Sequence, residues 1–140
     1  MYHFIQKFHS GWAYLAILVL VIAVVNSFIG KSSQKGFTAK DRKIALFALI
    51  GTHVQLLVGL VLYFLSPLGL AVFGQMKNEA FRLTSLEHPL VNIIAIVLIT
   101  IGWSKHKKAT TSEAKFKSIA IFYGLGLVLI LSRIPWSLWF

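Results

Sequence analysis

Four long apolar stretches, separated by polar ones, set the rhythm of this chain. They cover residues 11–30, 44–65, 90–103 and 116–131. A bilayer core about 30 Å thick takes about 20 helical residues, so three of the stretches span comfortably and the third is short. The pattern predicts an all-α fold: an integral membrane four-helix bundle running up-down-up-down, as a single membrane domain over residues 1–140. The helices are expected at about 9–31, 42–66, 87–105 and 114–133.

The punctuation between the stretches supports this division. The polar loop 31–43 ends in Thr38 or Lys40-Asp41, either of which can cap the second helix. Pro67 stops that helix, and Gly69 and Gly74 break the connection that follows, whose segment 70–73 is apolar enough to dip into the interface. Thr84 and Glu87 have capping-box spacing. Pro89 disfavours helical geometry at His88, so the third helix is expected to start at Pro89, or near Ser85 with a distortion at His88. Helical steps from His9 give Ala13, Ala16, Leu20, Ala23 and Ser27, a mostly small face. Such a face suits close helix packing or a flat ligand. Gly124 and Gly126 thin the last helix, and Trp139 with Phe140 fits an aromatic belt at its end.

Composition sharpens the class. The chain is 57% hydrophobic and 13% charged, roughly half the charge of a soluble domain. It has no cysteine, which excludes disulfides, thiolate metal sites and c-type haem attachment. The first apolar stretch is too long for a signal peptide and lacks a small-x-small cleavage site at its end. The net charge of +10 is concentrated in two loops. Lys31, Lys35, Lys40, Arg42 and Lys43 lie in the first, and Lys105, Lys107, Lys108, Lys115 and Lys117 in the third. Both loops fall on one side of a four-span protein. The positive-inside rule makes that side cytoplasmic and puts both termini outside. The cations therefore serve topology and anionic lipid, with no nucleic-acid partner.

The chemistry rests on histidine. His3 lies outside the bundle and His106 among lysines, where solvation is expected for both. His9, His53 and His88 remain, and ionisable groups in a bilayer are expensive enough to imply a role. Imidazole is a common metal ligand and the usual axial ligand of haem in membrane helices. Helices one and three are diagonal in such a bundle, so His9 and His88 would face each other. A rise of about 1.5 Å per residue puts them at compatible levels, with His53 about 10–15 Å deeper. His53 would serve a second site, pack under a macrocycle, or bond to another helix. Asn92 lies one turn from His88 on the same face, and Arg133 and Arg82 are the cations near enough for haem propionates. Ala13, Ala16, Gly59 and Gly126 would make room for the ring. A bare zinc site wants three or four ligands, against His9, His88 and at most Glu87. No nucleophile–base pair, phosphate loop or carboxylate dyad is present, so no enzymatic reaction is read here.

The segments His9-Ser10, Thr52-His53-Val54-Gln55-Leu56-Leu57-Val58-Gly59-Leu60, Glu87-His88, 96–102 and Ile134-Pro135-Trp136 resemble a small bacterial four-helix membrane family labelled cytochrome b-like. The likeness covers nearly the whole chain. It implies b-type haem, the bacterial inner membrane, and His9, His53 and His88 as the family's histidine positions. Relatives carry an arginine soon after the first histidine, where this chain has Trp12-Ala13-Tyr14. A fainter likeness links the chain to one half of the haem A synthase bundle, without its acidic residue or second bundle.

Three functions compete at this stage. One is a haem b protein in electron transfer, or in a respiratory or assembly complex. The second is a non-redox accessory subunit of a membrane complex or homo-oligomer, in which the histidines only bond helices together. The third is a small transporter with Thr52, Gln55 and Asn92 along its path.

Overall fold

The structure is a computed structural model that describes residues 2–136. Four long helices carry it: α1 Tyr2–Ser32, α2 Ala39–Leu65, α3 Glu79–Lys108 and α4 Ser112–Ser132. Each is long and apolar enough to cross a bilayer. The chain is a multi-pass, all-α membrane bundle. Its outward faces are apolar, with Leu57, Phe64 and Val128 each about two-thirds exposed, as lipid contact requires. The expected aromatic belt at Trp139 and Phe140 lies outside the described residues.

Helix limits differ from the sequence expectation in ways that have local causes. α1 begins at Tyr2 rather than near residue 9, because nothing between Tyr2 and His9 breaks a helix. Thr38 caps α2 in a full capping box, with its hydroxyl accepting from the Asp41 N–H and Asp41 Oδ2 accepting from the Thr38 N–H at 2.8 Å. Thr84 and Glu87 form no such box. The Thr84 hydroxyl donates back to the Ala80 carbonyl, and Glu87 pairs with arginines instead. The helix simply continues from Glu79 through a wide turn at Leu83–Glu87, where the His88 N–H reaches back five residues to the Leu83 carbonyl. Pro89 has no N–H to donate and its ring would clash with the preceding turn, so the extra residue relieves both problems. Between α2 and α3 a single tight turn, Leu70–Val72, tucks Val72 inward, and Gly69 packs on the Tyr63 carbonyl where no Cβ would fit.

α1 packs along α2 and α4, and α3 packs along α4, with a slighter seam between α2 and α3. α1 and α3 are thus diagonal. The small face of α1 serves packing over most of its length: Ala16, Leu20, Ala23 and Ser27 are buried. Gly126 lets α4 touch α3, since a Cβ there would lie 2.7 Å from Ile99 Cγ1. It therefore serves helix contact and not space for a ligand. The tightest packing is at the basic-loop half, where Tyr123 is fully buried and donates its hydroxyl to the Ala45 carbonyl at 2.8 Å.

Asp41 and His106 depart most from their expected surroundings. Asp41 is 2% exposed and accepts from Lys35 Nζ and Asn26 Nδ2, both at 3.0 Å. His106 was expected in solvent but is 1% exposed, set between Trp103 and Phe37. The cause is helix length: α3 runs on to Lys108, and steps of three and four from Ile99 carry Trp103 and His106 onto the inner face.

Candidate functional site

The slack seam between α2 and α3 opens, at the end away from the basic loops, into a cavity of about 210 Å³. All four helices wall it. α1 contributes His9, Ala13 and Ala16, and α2 contributes Thr52, Gln55 and Gly59. α3 contributes His88 and Asn92, and the end of α4 with the chain beyond it closes the wall through Ile130 and Ile134. The lining is mostly apolar with a few convergent polar groups, the usual make-up of a ligand site.

His9 and His88 meet across this cavity. Their ring centroids are 6.2 Å apart and their planes stand at 85°. The distortion at Leu83–Glu87 helps set His88 at the mouth of α3. His88 Nδ1 donates to the Arg133 carbonyl at 2.9 Å, which leaves Nε2 as the free, lone-pair edge of the ring. Asn92 supports it one turn on, with Nδ2 donating to the His88 carbonyl at 2.6 Å and lying 3.2 Å from His88 Nδ1.

His9 is held from α2. Gln55 Nε2 donates to the His9 carbonyl at 2.8 Å, and Trp12, one turn along, donates its indole N–H to the Gly51 carbonyl at 2.9 Å. Gly59 lies under the imidazole; a Cβ there would sit 3.0 Å from His9 Cε1. Two polar atoms of this wall, His9 Nδ1 and Gln55 Oε1, are buried without a hydrogen-bond partner among the described residues. Buried polar atoms are paired in the great majority of cases, so two orphans on one cavity point to a group that belongs there.

Other candidate residues are placed elsewhere. His53 does not line the cavity. Its Nδ1 donates to the Leu49 carbonyl at 2.7 Å, and its Nε2 lies 3.3 Å from the Thr100 hydroxyl of α3. It joins two helices, with both ring nitrogens engaged. The guanidiniums of Arg82 and Arg133 do not line the cavity either. Arg82 Nε lies 3.1 Å from Glu87 Oε2 and Arg133 Nε 3.9 Å from Glu87 Oε1, forming a charged rim beside His88. What Arg133 gives His88 is its backbone carbonyl. Sequence reasoning could not foresee that, because any residue supplies a carbonyl. Thr100 was likewise missed; its spacing from Ile96, whose carbonyl it also approaches at 2.8 Å, marks it only as a back-bonded hydroxyl.

The donor set decides which groups suit the cavity. Among the described residues no three metal-ligating side chains converge, so a bare divalent ion finds too few ligands. Two imidazoles on opposite sides of one plane are a different matter. Metal–imidazole bonds of about 2 Å on both faces of an iron place the two ring centroids about 6 Å apart. The 6.2 Å separation and the small residues Ala13, Ala16 and Gly59 beside it would suit a planar group held between the two histidines. No family model, no curated protein and no solved structure matches this chain.

Proposed function

We propose that the chain is a haem b-binding membrane protein that serves electron transfer, on its own or as a small subunit or assembly factor of a respiratory membrane complex. The observation that carries the reading is the His9–His88 pair, 6.2 Å apart across a cavity lined by apolar side chains. In this reading His9 and His88 would hold the iron through their imidazoles. The Arg133 carbonyl fixes the tautomer of His88 and Asn92 braces its turn through the His88 carbonyl, as outer partners of metal-bound imidazoles generally do. Gln55 and Gly59 seat His9. The paired cations Arg82 and Arg133 form the rim nearest the propionates. Haem held by two imidazoles supplies one-electron redox chemistry with no open coordination position, which favours electron transfer over oxygen activation. The apolar wall of Ile96, Ile130 and Ile134 keeps water from the site.

The same reading places the protein in a bacterial inner membrane, with the basic loops cytoplasmic and the site in the outer half of the bilayer. Protein purified from haem-replete cells is expected to show a Soret band and a reduced α-band. His88→Ala should abolish both while leaving far-ultraviolet circular dichroism unchanged. A colourless, folded wild-type preparation would overturn the proposal and leave the non-redox accessory subunit as the better reading.

A further inference from the structure

At the opposite end of the bundle, three cations converge without a carboxylate partner. An open hollow of about 450 Å³ is lined by Phe37, Thr38, Ala39, Arg42, His106, Lys107 and Lys115. Arg42 lies in the first turn of α2, Lys107 at the end of α3 and Lys115 in the first turn of α4. The hollow thus sits where three membrane-crossing helices leave the apolar layer. Two acidic groups lie nearby in sequence. Asp41 is buried and saturated by Lys35, Asn26 and Thr38. Glu113 is exposed and does not line the hollow. Among the described residues no ion pair involves Arg42, Lys107 or Lys115. Arg42 instead lies over the Trp103 ring at 5.5 Å, and Lys115 donates to the His106 carbonyl at 3.0 Å.

His106 supplies a second, independent feature. It is 1% exposed and lines the hollow. Its Nδ1 donates to the Trp103 carbonyl at 2.8 Å, and no partner engages its Nε2 among the described residues. The neutral tautomer that makes the Nδ1 bond presents Nε2 as a hydrogen-bond acceptor. The N-terminus of α2, with its outward-facing first-turn N–H groups, borders the same space at Ala39. A fitting ligand therefore carries a negative phosphate for the cations and a hydroxyl to donate to His106.

We propose that this hollow binds the headgroup of an anionic glycerol-bearing phospholipid of the phosphatidylglycerol class. The phosphodiester is met by Arg42, Lys107 and Lys115, and a headgroup hydroxyl donates to His106 Nε2. A lipid is favoured over a free phosphate by position. The hollow lies at headgroup level, where three membrane-crossing helices end. The site is independent of the haem reading and stands or falls without it.

The test is a lipid titration of detergent-solubilised protein, read by native mass spectrometry and thermal shift. Phosphatidylglycerol should bind at least about tenfold tighter than phosphatidylcholine and raise the melting temperature. Arg42→Gln with Lys115→Gln should remove about tenfold in affinity. Lys31→Gln with Lys117→Gln, an equal loss of charge at exposed lysines outside the hollow, should change it less than about twofold. Lys107→Gln alone, at an exposed residue with no ion pair among the described residues, should weaken binding and keeps the test open if the double variant does not fold. Equal weakening by the two double variants would reduce the effect to diffuse charge and overturn the site. Glycerol phosphate competing at the concentration of the lipid would make it a free-phosphate site and overturn the lipid assignment.

Discussion

His88 depends on neighbours that are not themselves ligands. Its Nδ1 rests on the Arg133 carbonyl and its own turn is braced by Asn92. Loss of such outer partners commonly costs about 10–100-fold in metal affinity. Asn92→Leu is accordingly expected to lower haem affinity about tenfold, measured by haem transfer to apomyoglobin, while keeping the absorption maxima of two-histidine ligation. Gly59 acts through space. An alanine methyl would meet His9 Cε1 at 3.0 Å, so Gly59→Ala should displace the ring and raise the haem off-rate, and Gly59→Leu should do so more strongly. At this scale His9, His88 and Asn92 stood out because polar groups are conspicuous in apolar helices, and the structure brings all three to one cavity. His53 is as conspicuous, and of the roles its depth left open (a second site, packing under a macrocycle, a bond to another helix) the structure shows the last, toward Thr100. An imidazole looks the same in sequence whether it meets a metal or a hydroxyl on the next helix.

The elements were easier to foresee than their joints. Apolar runs located all four helices, since a helix satisfies its backbone polar groups internally within a bilayer and about 20 apolar residues suffice to span it. Where α3 begins was not readable, because Pro89 is compatible with a helix start or with a widened turn, and tertiary packing chooses. The glycines illustrate the same limit. Gly59 and Gly126 are equivalent in a sequence, yet one borders the cavity and the other meets Ile99 and the Ala95 carbonyl. Gly126→Ala should therefore destabilise the α3–α4 contact by about 1–3 kcal/mol, seen as a lower unfolding midpoint in detergent. The first loop is held in a comparable way by a single acid. Asp41→Ala removes the α2 capping box and strands Asn26 and Lys35, for an expected loss of about 1–3 kcal/mol by the same assay.

Across the whole molecule the two ends differ in kind. The basic end packs around Tyr123 and opens only in the charged hollow beside His106, and the other end parts between α2 and α3 to leave the largely apolar cavity. Charge asymmetry predicts which end faces the cytoplasm: alkaline phosphatase fused after Gln34 should be inactive, and fused after Trp136 active. The diagonal placement of α1 and α3 follows from up-down-up-down order alone, which is why a pairing of His9 with His88 was legible before any coordinates. The perpendicular setting of the two rings was not, and it gives the most direct test. Electron paramagnetic resonance of the oxidised, purified protein should show a low-spin ferric signal of the highly anisotropic kind produced by two axial imidazoles with crossed planes, and it should vanish in both His9→Ala and His88→Ala. A preparation with no ferric signal, or one whose signal survives either substitution, would contradict the account.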